Sequence, residues 1–161
     1  MGKATGIILA ALLAAGATRS IAQTGAEGDT TMQARGTFDV EVTPLPSEGG
    51  GTPGRMAITK QFHGDLEGTS QGQMLTAMTA VEGSAAYVAI EEVRGELAGR
   101  NGTFALYHTG TMRGGVPELS VRVVPDSGTG ELVGLAGELT IEIAADGTHS
   151  YAFEYSLPES P

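Results

Sequence analysis

Two residue types are missing from this 161-residue chain, cysteine and tryptophan, and basic side chains are few: 9 Lys plus Arg against 19 Asp plus Glu. Without cysteine there is no disulfide framework, no thiolate nucleophile or metal ligand, and no N-terminal cysteine for a lipid anchor. With neither cysteine nor tryptophan, the markers of an immunoglobulin-type sandwich are absent too. The formal net charge of −10 works against sequence-independent binding to nucleic acid or to anionic membranes, which both need clustered Lys and Arg. The main apolar run, residues 4–17, falls short of the roughly 20 residues needed to cross a bilayer.

That run follows Lys3 and ends at Ser20-Ile21-Ala22, with small residues where a signal peptidase reads. The expectation is a cleavable leader, residues 1–22, cut after Ala22, giving a secreted or periplasmic protein with no stable membrane insertion after cleavage. Losing Lys3 and Arg19 would leave 7 basic and 19 acidic groups, a net charge of −12. Residues 23–33 are polar and without periodicity, a flexible lead-in. Residues 34–158 are expected to form one domain.

What the chain has in abundance is glycine, 25 residues without a collagen period, which fits short strands joined by tight turns. Period-two alternation broken by Gly, Pro and Asx signals points to an all-β antiparallel domain. Phe38, Val40 and Val42 share one face; Met56, Ile58 and Phe62 are in phase within residues 55–66. Residues 69–81 fit a strand or, through Met74, Met78 and Val81, a helix; their Gly and Thr content favours the strand. Five more strands follow over residues 85–99, 103–112, 117–124, 132–143 and 149–157. Asn101-Gly102 predicts a two-residue hairpin turn that sets Leu97 opposite Leu106 and His108 opposite Gly95. For the last hairpin, a three-residue loop of Ala145, Asp146 and Gly147, with Gly147 left-handed, pairs Phe153 with Leu139 and Tyr151 with Ile141. Eight strands with recurring internal glycines (Gly64 and Gly68, Gly95 and Gly99, Gly134 and Gly137) suggest a closed barrel.

Few residues suggest chemistry. Gly128-Thr129-Gly130 lacks the Lys and helix of a phosphate loop and reads as a turn. Asn101-Gly102-Thr103 matches a glycosylation sequon but already serves the predicted turn. Glu91 shares a face with Tyr87, Ala89, Val93 and Leu97, and His108 with Phe104, Leu106 and Met112. Groups so placed are candidate acid/base catalysts if that face lines the interior, or otherwise buried groups that fix register. The predicted register keeps them apart, with Glu91 opposite Met112. His63, Asp65 and Glu67 alternate on one face, a cation site or, as such stripes more often are, a solvated surface. Tyr151, Phe153 and Tyr155 form an aromatic stripe. No metal site or cofactor is expected from the three scattered histidines.

The runs Phe62-His-Gly-Asp-Leu-Glu-Gly-Thr-Ser-Gln-Gly72, Tyr87-Val-Ala-Ile-Glu91, Gly95 to Phe104 and Val123 to Leu132 resemble a bacterial family of unknown function, DUF3224. The resemblance spans residues 34–157. It implies a closed antiparallel eight-stranded barrel similar to allene oxide cyclase and the dirigent proteins, but no activity. Two functions follow as expectations. One is an exported barrel that binds a small apolar molecule in its lumen, with isomerase- or cyclase-like chemistry at Glu91 and His108 and with Tyr87, Phe104, Leu106, Met112, Tyr151 and Tyr155 lining the site. The other is a non-catalytic structural or interaction barrel whose interior is filled by its own side chains. Association of copies into a homo-oligomer is left open.

Overall fold

The computed structural model describes residues 31–46 and 53–158. Eight antiparallel strands close into one barrel in sequence order: β1 (Met32–Leu45), β2 (Gly54–Gly64), β3 (Leu66–Met78), β4 (Ala85–Leu97), β5 (Arg100–Arg113), β6 (Val116–Val123), β7 (Ala136–Ile143) and β8 (His149–Ser156). The leader expected at residues 1–22 lies outside the described residues. β1 begins at Met32, within the last two residues of the segment read as a lead-in. Residues 69–81, which fit two periods, are mostly strand β3. Residues 132–143, expected as one strand, divide: a short 3-10 turn at Gly130–Leu132 comes first, and β7 starts at Ala136. Leu132 and Leu135 are buried there as part of the core, and Gly134 (φ +83°) makes the bend between them.

The hairpin between β4 and β5 corrects the sequence reading. The turn is Ala98-Gly99, both left-handed (φ +49° and +85°), and Leu97 pairs with Arg100. His108 therefore lies opposite Ala89 rather than Gly95, and Glu91 opposite Leu106 rather than Met112. The face of each residue survives the error, because the slip is by an even number of positions. Asn101 and Gly102, read as the turn, lie in β5 and receive the connection between β6 and β7. The Asn101 amide donates to Glu131 Oε2 at 2.8 Å, and a Cβ on Gly102 would collide with Thr129 O and crowd the Leu132 side chain. This glycine is there for a close approach rather than for a turn. The last hairpin forms as the sequence predicts: Gly147 is left-handed (φ +89°), Leu139 pairs with Phe153, and Ile141 with Tyr151.

The two ends of the barrel differ. At one end the turns at Gly64-Asp65 and Ala98-Gly99 and the connection over residues 124–135 cover a packed core. Phe104 stacks on Phe153 at 6.0 Å, Phe153 meets Tyr155 at a tilt at 5.1 Å, and Tyr151 meets Phe62 edge-on at 5.8 Å. The Tyr151 hydroxyl accepts from the Leu66 amide at 2.8 Å, so this aromatic also fastens the β2–β3 turn. The covering connection is held through Thr129, whose hydroxyl accepts from the Thr103 amide (3.0 Å), and Ser127, whose hydroxyl accepts from the Ala105 amide (3.0 Å). At the other end the inward side chains Val42, Met56, Thr76, Tyr87, Met112 and Ile143 are half-buried, forming an apolar rim. The seam between β6 and β7 is the least paired, with one bridged position, Arg122 to Glu138, reinforced by their ion pair at 3.2 Å. Among the described residues no helix is long and apolar enough to cross a membrane.

Candidate functional site

At mid-height, between the packed end and the half-buried rim, four polar side chains from four strands meet on the inner face. Strand alternation brings them there: Lys60 lies between Ile58 and Phe62 on β2, Ser70 between Leu66 and Met74 on β3, Glu91 between Ala89 and Val93 on β4, and His108 between Leu106 and Gly110 on β5. All four are at most 6% exposed. Glu91 is the hub. Its Oε1 accepts from Lys60 Nζ at 2.6 Å and from His108 Nε2 at 2.8 Å, and its Oε2 accepts from Ser70 Oγ at 2.7 Å. Gly72, paired with Glu91 across β3 and β4, leaves room for this convergence, since a Cβ there would lie 2.6 Å from that of Glu91. The Lys60 ammonium also sits 5.1 Å from the Phe38 ring centre and 5.7 Å from that of Phe62, within cation–π range.

Burial alone would push the Glu91 carboxyl up; the His108 hydrogen bond and the Lys60 charge outweigh it and bring its pKa from the ordinary 4.5 down to about 2. Glu91 is thus a carboxylate at neutral pH, and a carboxylate only accepts hydrogen bonds, so His108 must carry its proton on Nε2. A neutral imidazole in that tautomer has its lone pair on Nδ1. Nδ1 makes no hydrogen bond with the described residues. The His108 side chain is 3% exposed, so this nitrogen lies inside the barrel wall. Nearer the rim, burial and then the charge of Glu91 raise the Tyr87 phenol to about 12, which keeps it a protonated donor. Its ring lies across Gly110, two residues from His108 on β5, where any Cβ would collide with it. The arrangement is an imidazole oriented by a carboxylate, with a phenol nearby: a candidate base and a candidate hydrogen-bond donor.

Of the residues singled out from sequence, Glu91 and His108 come together, and Tyr87 and Met112 stand on the rim. Phe104, Leu106, Tyr151 and Tyr155 also point inward but are packed in the core at the covered end. His63, Asp65 and Glu67 are exposed: His63 Nδ1 is 3.1 Å from Glu67 Oε1, and Asp65 Oδ2 accepts from the Arg35 amide at 2.8 Å, tying the β2–β3 turn to β1. Among the described residues no group of three or more His, Asp or Glu side chains is arranged to hold a metal ion. Sequence reasoning missed Lys60 and Ser70. A signal was present for Lys60, which stands in phase with Ile58 and Phe62 two residues away; Ser70 has Gly68 and Gly72 at those positions and meets its in-phase apolar neighbours, Leu66 and Met74, only four residues away.

Fold and site together define a closed eight-stranded antiparallel barrel built around a buried ionic cluster. The chain belongs to the DUF3224 family, proteins of unknown function, whose sequence model matches residues 24–155. It is similar to a solved protein of unknown function from the same family, from Shewanella oneidensis MR-1. The two are 48% identical, the match covers 81% of this chain and 100% of that one, and the TM-score is 0.75. A search of curated proteins returns no match.

Proposed function

We propose that the barrel binds a small, mostly apolar molecule at its half-buried end, where His108 and Tyr87 engage one polar group of the ligand. The observation that carries this reading is the Lys60–Glu91–His108–Ser70 cluster. A buried ion pair loses solvation that its attraction barely offsets, and well-packed apolar side chains often serve stability as well or better. Four strands nevertheless each contribute a polar group to one point beneath an apolar rim, the usual composition of a small-molecule site. Lys60 and Glu91 balance each other's charge, which suits a neutral ligand.

Isomerase- or cyclase-like chemistry belongs to the same proposal: His108 Nδ1 takes a proton from the ligand, Glu91 stabilises the imidazolium, and Tyr87 donates to the oxygen that gains charge. The likeness to allene oxide cyclase and dirigent barrels supports it at the level of architecture, which is not function. Export is proposed on the leader-like sequence of residues 1–22; the intact mass of protein collected outside the cytoplasm tests it, with cleavage after Ala22 expected.

Titration with 2-naphthol, an apolar body with one hydroxyl, tests the binding site. Saturable binding with NMR shifts at Tyr87, His108 and Met112, at least roughly tenfold tighter than naphthalene, is expected for one good buried hydrogen bond. No saturation, or shifts confined to the outer wall, contradicts the proposal. The packed aromatic side chains of the covered end support the self-filled alternative for that half of the interior.

A further inference from the structure

The outer wall is polar on most strands, as Thr37, Asp39 and Glu41 on β1 or Glu138, Thr140 and Glu142 on β7 show. β3 and β4 depart from this. Leu75, Val88 and Ile90 are 43%, 52% and 63% exposed, Leu75 pairs with Val88, and Tyr107 of β5 pairs with Ile90 to continue the patch. Scattered exposed apolar residues need no explanation, but a contiguous cluster on a sheet face marks an interaction surface. Beside it the wall dips into an open depression of about 480 Å³ lined by Gln71, Gly72, Gln73, Ile90 and Glu92.

We propose that this wall is where two copies of the chain associate, in a two-fold contact centred on Ile90. The charges at its margin support a self-contact. Although the chain carries −10 overall, this margin holds both signs: Glu92 and Arg94, 3.0 Å apart on β4, and Arg55, which donates to Gln73 at 2.9 Å. A two-fold axis sets the same surface against itself, so a mixed margin can place Glu92 of one copy against an arginine of the other. The exposed Leu75 and Val88 side chains also stand beside the depression, which can receive them from a second copy. A basic partner would be drawn to the acidic remainder of the surface, and an anionic membrane repelled by it.

The test is a pair of opposite charges at one position. Ile90→Glu and Ile90→Lys both change an exposed side chain, so folding should survive, and circular dichroism checks that. Wild type should have the mass of a dimer by light scattering, and each variant should dissociate at least tenfold more weakly held. An equimolar mixture of the two variants should recover dimers, because opposite charges then meet at the axis. Wild type that is monomeric throughout a concentration series, variants that dimerise like wild type, or a mixture that stays monomeric would each overturn the proposal. Binding of monomeric wild type to phosphatidylcholine vesicles would assign the patch to a membrane instead and overturn it as well. Should either variant misfold, Val88→Glu with Val88→Lys repeats the comparison at the next outward position on β4.

Discussion

The two ends of this barrel are made from the same alternating strands, yet among the described residues the inward side chains of one are fully buried and those of the other only half-buried. At the covered end inward aromatic and aliphatic side chains pack into one core, sealed by the connection over residues 124–135. At the opposite end the inward residues are half-buried, and beneath them lies an ion pair with a histidine and a serine rather than more hydrocarbon. The first arrangement is what stability asks for. The second is costly to stability, and that contrast separates a structural end from a candidate functional end within one sheet.

Several substitutions sharpen or break the contrast, and the largest effect belongs to the covered end. Phe153→Ala removes a fully buried ring between Phe104 and Tyr155 and should cost about 3–5 kcal/mol in urea unfolding, with little change in 2-naphthol binding. Loss of binding without loss of stability would erase the distinction between the ends.

Acid should act on the other end. Glu91 is depressed from 4.5 to about 2 on folding, so its contribution is fully present above the unfolded value and is lost as pH falls through the folded one, roughly 3 kcal/mol in all. Unfolding midpoints measured between pH 5 and 2 should fall for wild type and fall less steeply for Glu91→Gln. Parallel slopes would mean that the cluster is not ionised as described.

Gly110→Ala is a smaller perturbation, about 1–3 kcal/mol, because a new Cβ would force the Tyr87 ring aside. Its distinguishing result is weaker 2-naphthol binding, where a change at the covered end of equal cost leaves binding intact. Smallest is Ala98→Asn, which places an Asn-Gly sequence at the left-handed turn of β4 and β5 and should stabilise by about 0.5–1 kcal/mol.

That last position explains what sequence could and could not supply. Alternation and glycine punctuation revealed the closed eight-stranded barrel and placed Glu91 and His108 on inward faces, because a face depends only on whether a position is odd or even. Register depends on which residues turn, and there two signals competed. Asn101-Gly102 has the stronger turn chemistry, but Gly102 is used against Thr129 and Leu132, and Ala98-Gly99 turns instead with a non-glycine residue in the left-handed region. The resulting slip put Glu91 opposite Met112 and hid the contact that defines the site. Lys60 was hidden differently: its ammonium sits over the Phe38 and Phe62 rings, so a residue type taken as solvent-facing is in fact buried among its neighbours. The same contact that buries it supplies part of the stabilisation for its charge.

The most direct measurement is a single double variant, Lys60→Met with Glu91→Leu, followed in two readouts. If the cluster is retained for recognition rather than for stability, the variant should unfold at the same urea concentration as wild type or a higher one, since both ions leave together. It should also lose the preference for 2-naphthol over naphthalene, because His108 is no longer held by the carboxylate. A variant that is destabilised by about 3 kcal/mol or more and still prefers 2-naphthol as wild type does would contradict the account and make the cluster a structural element of the barrel.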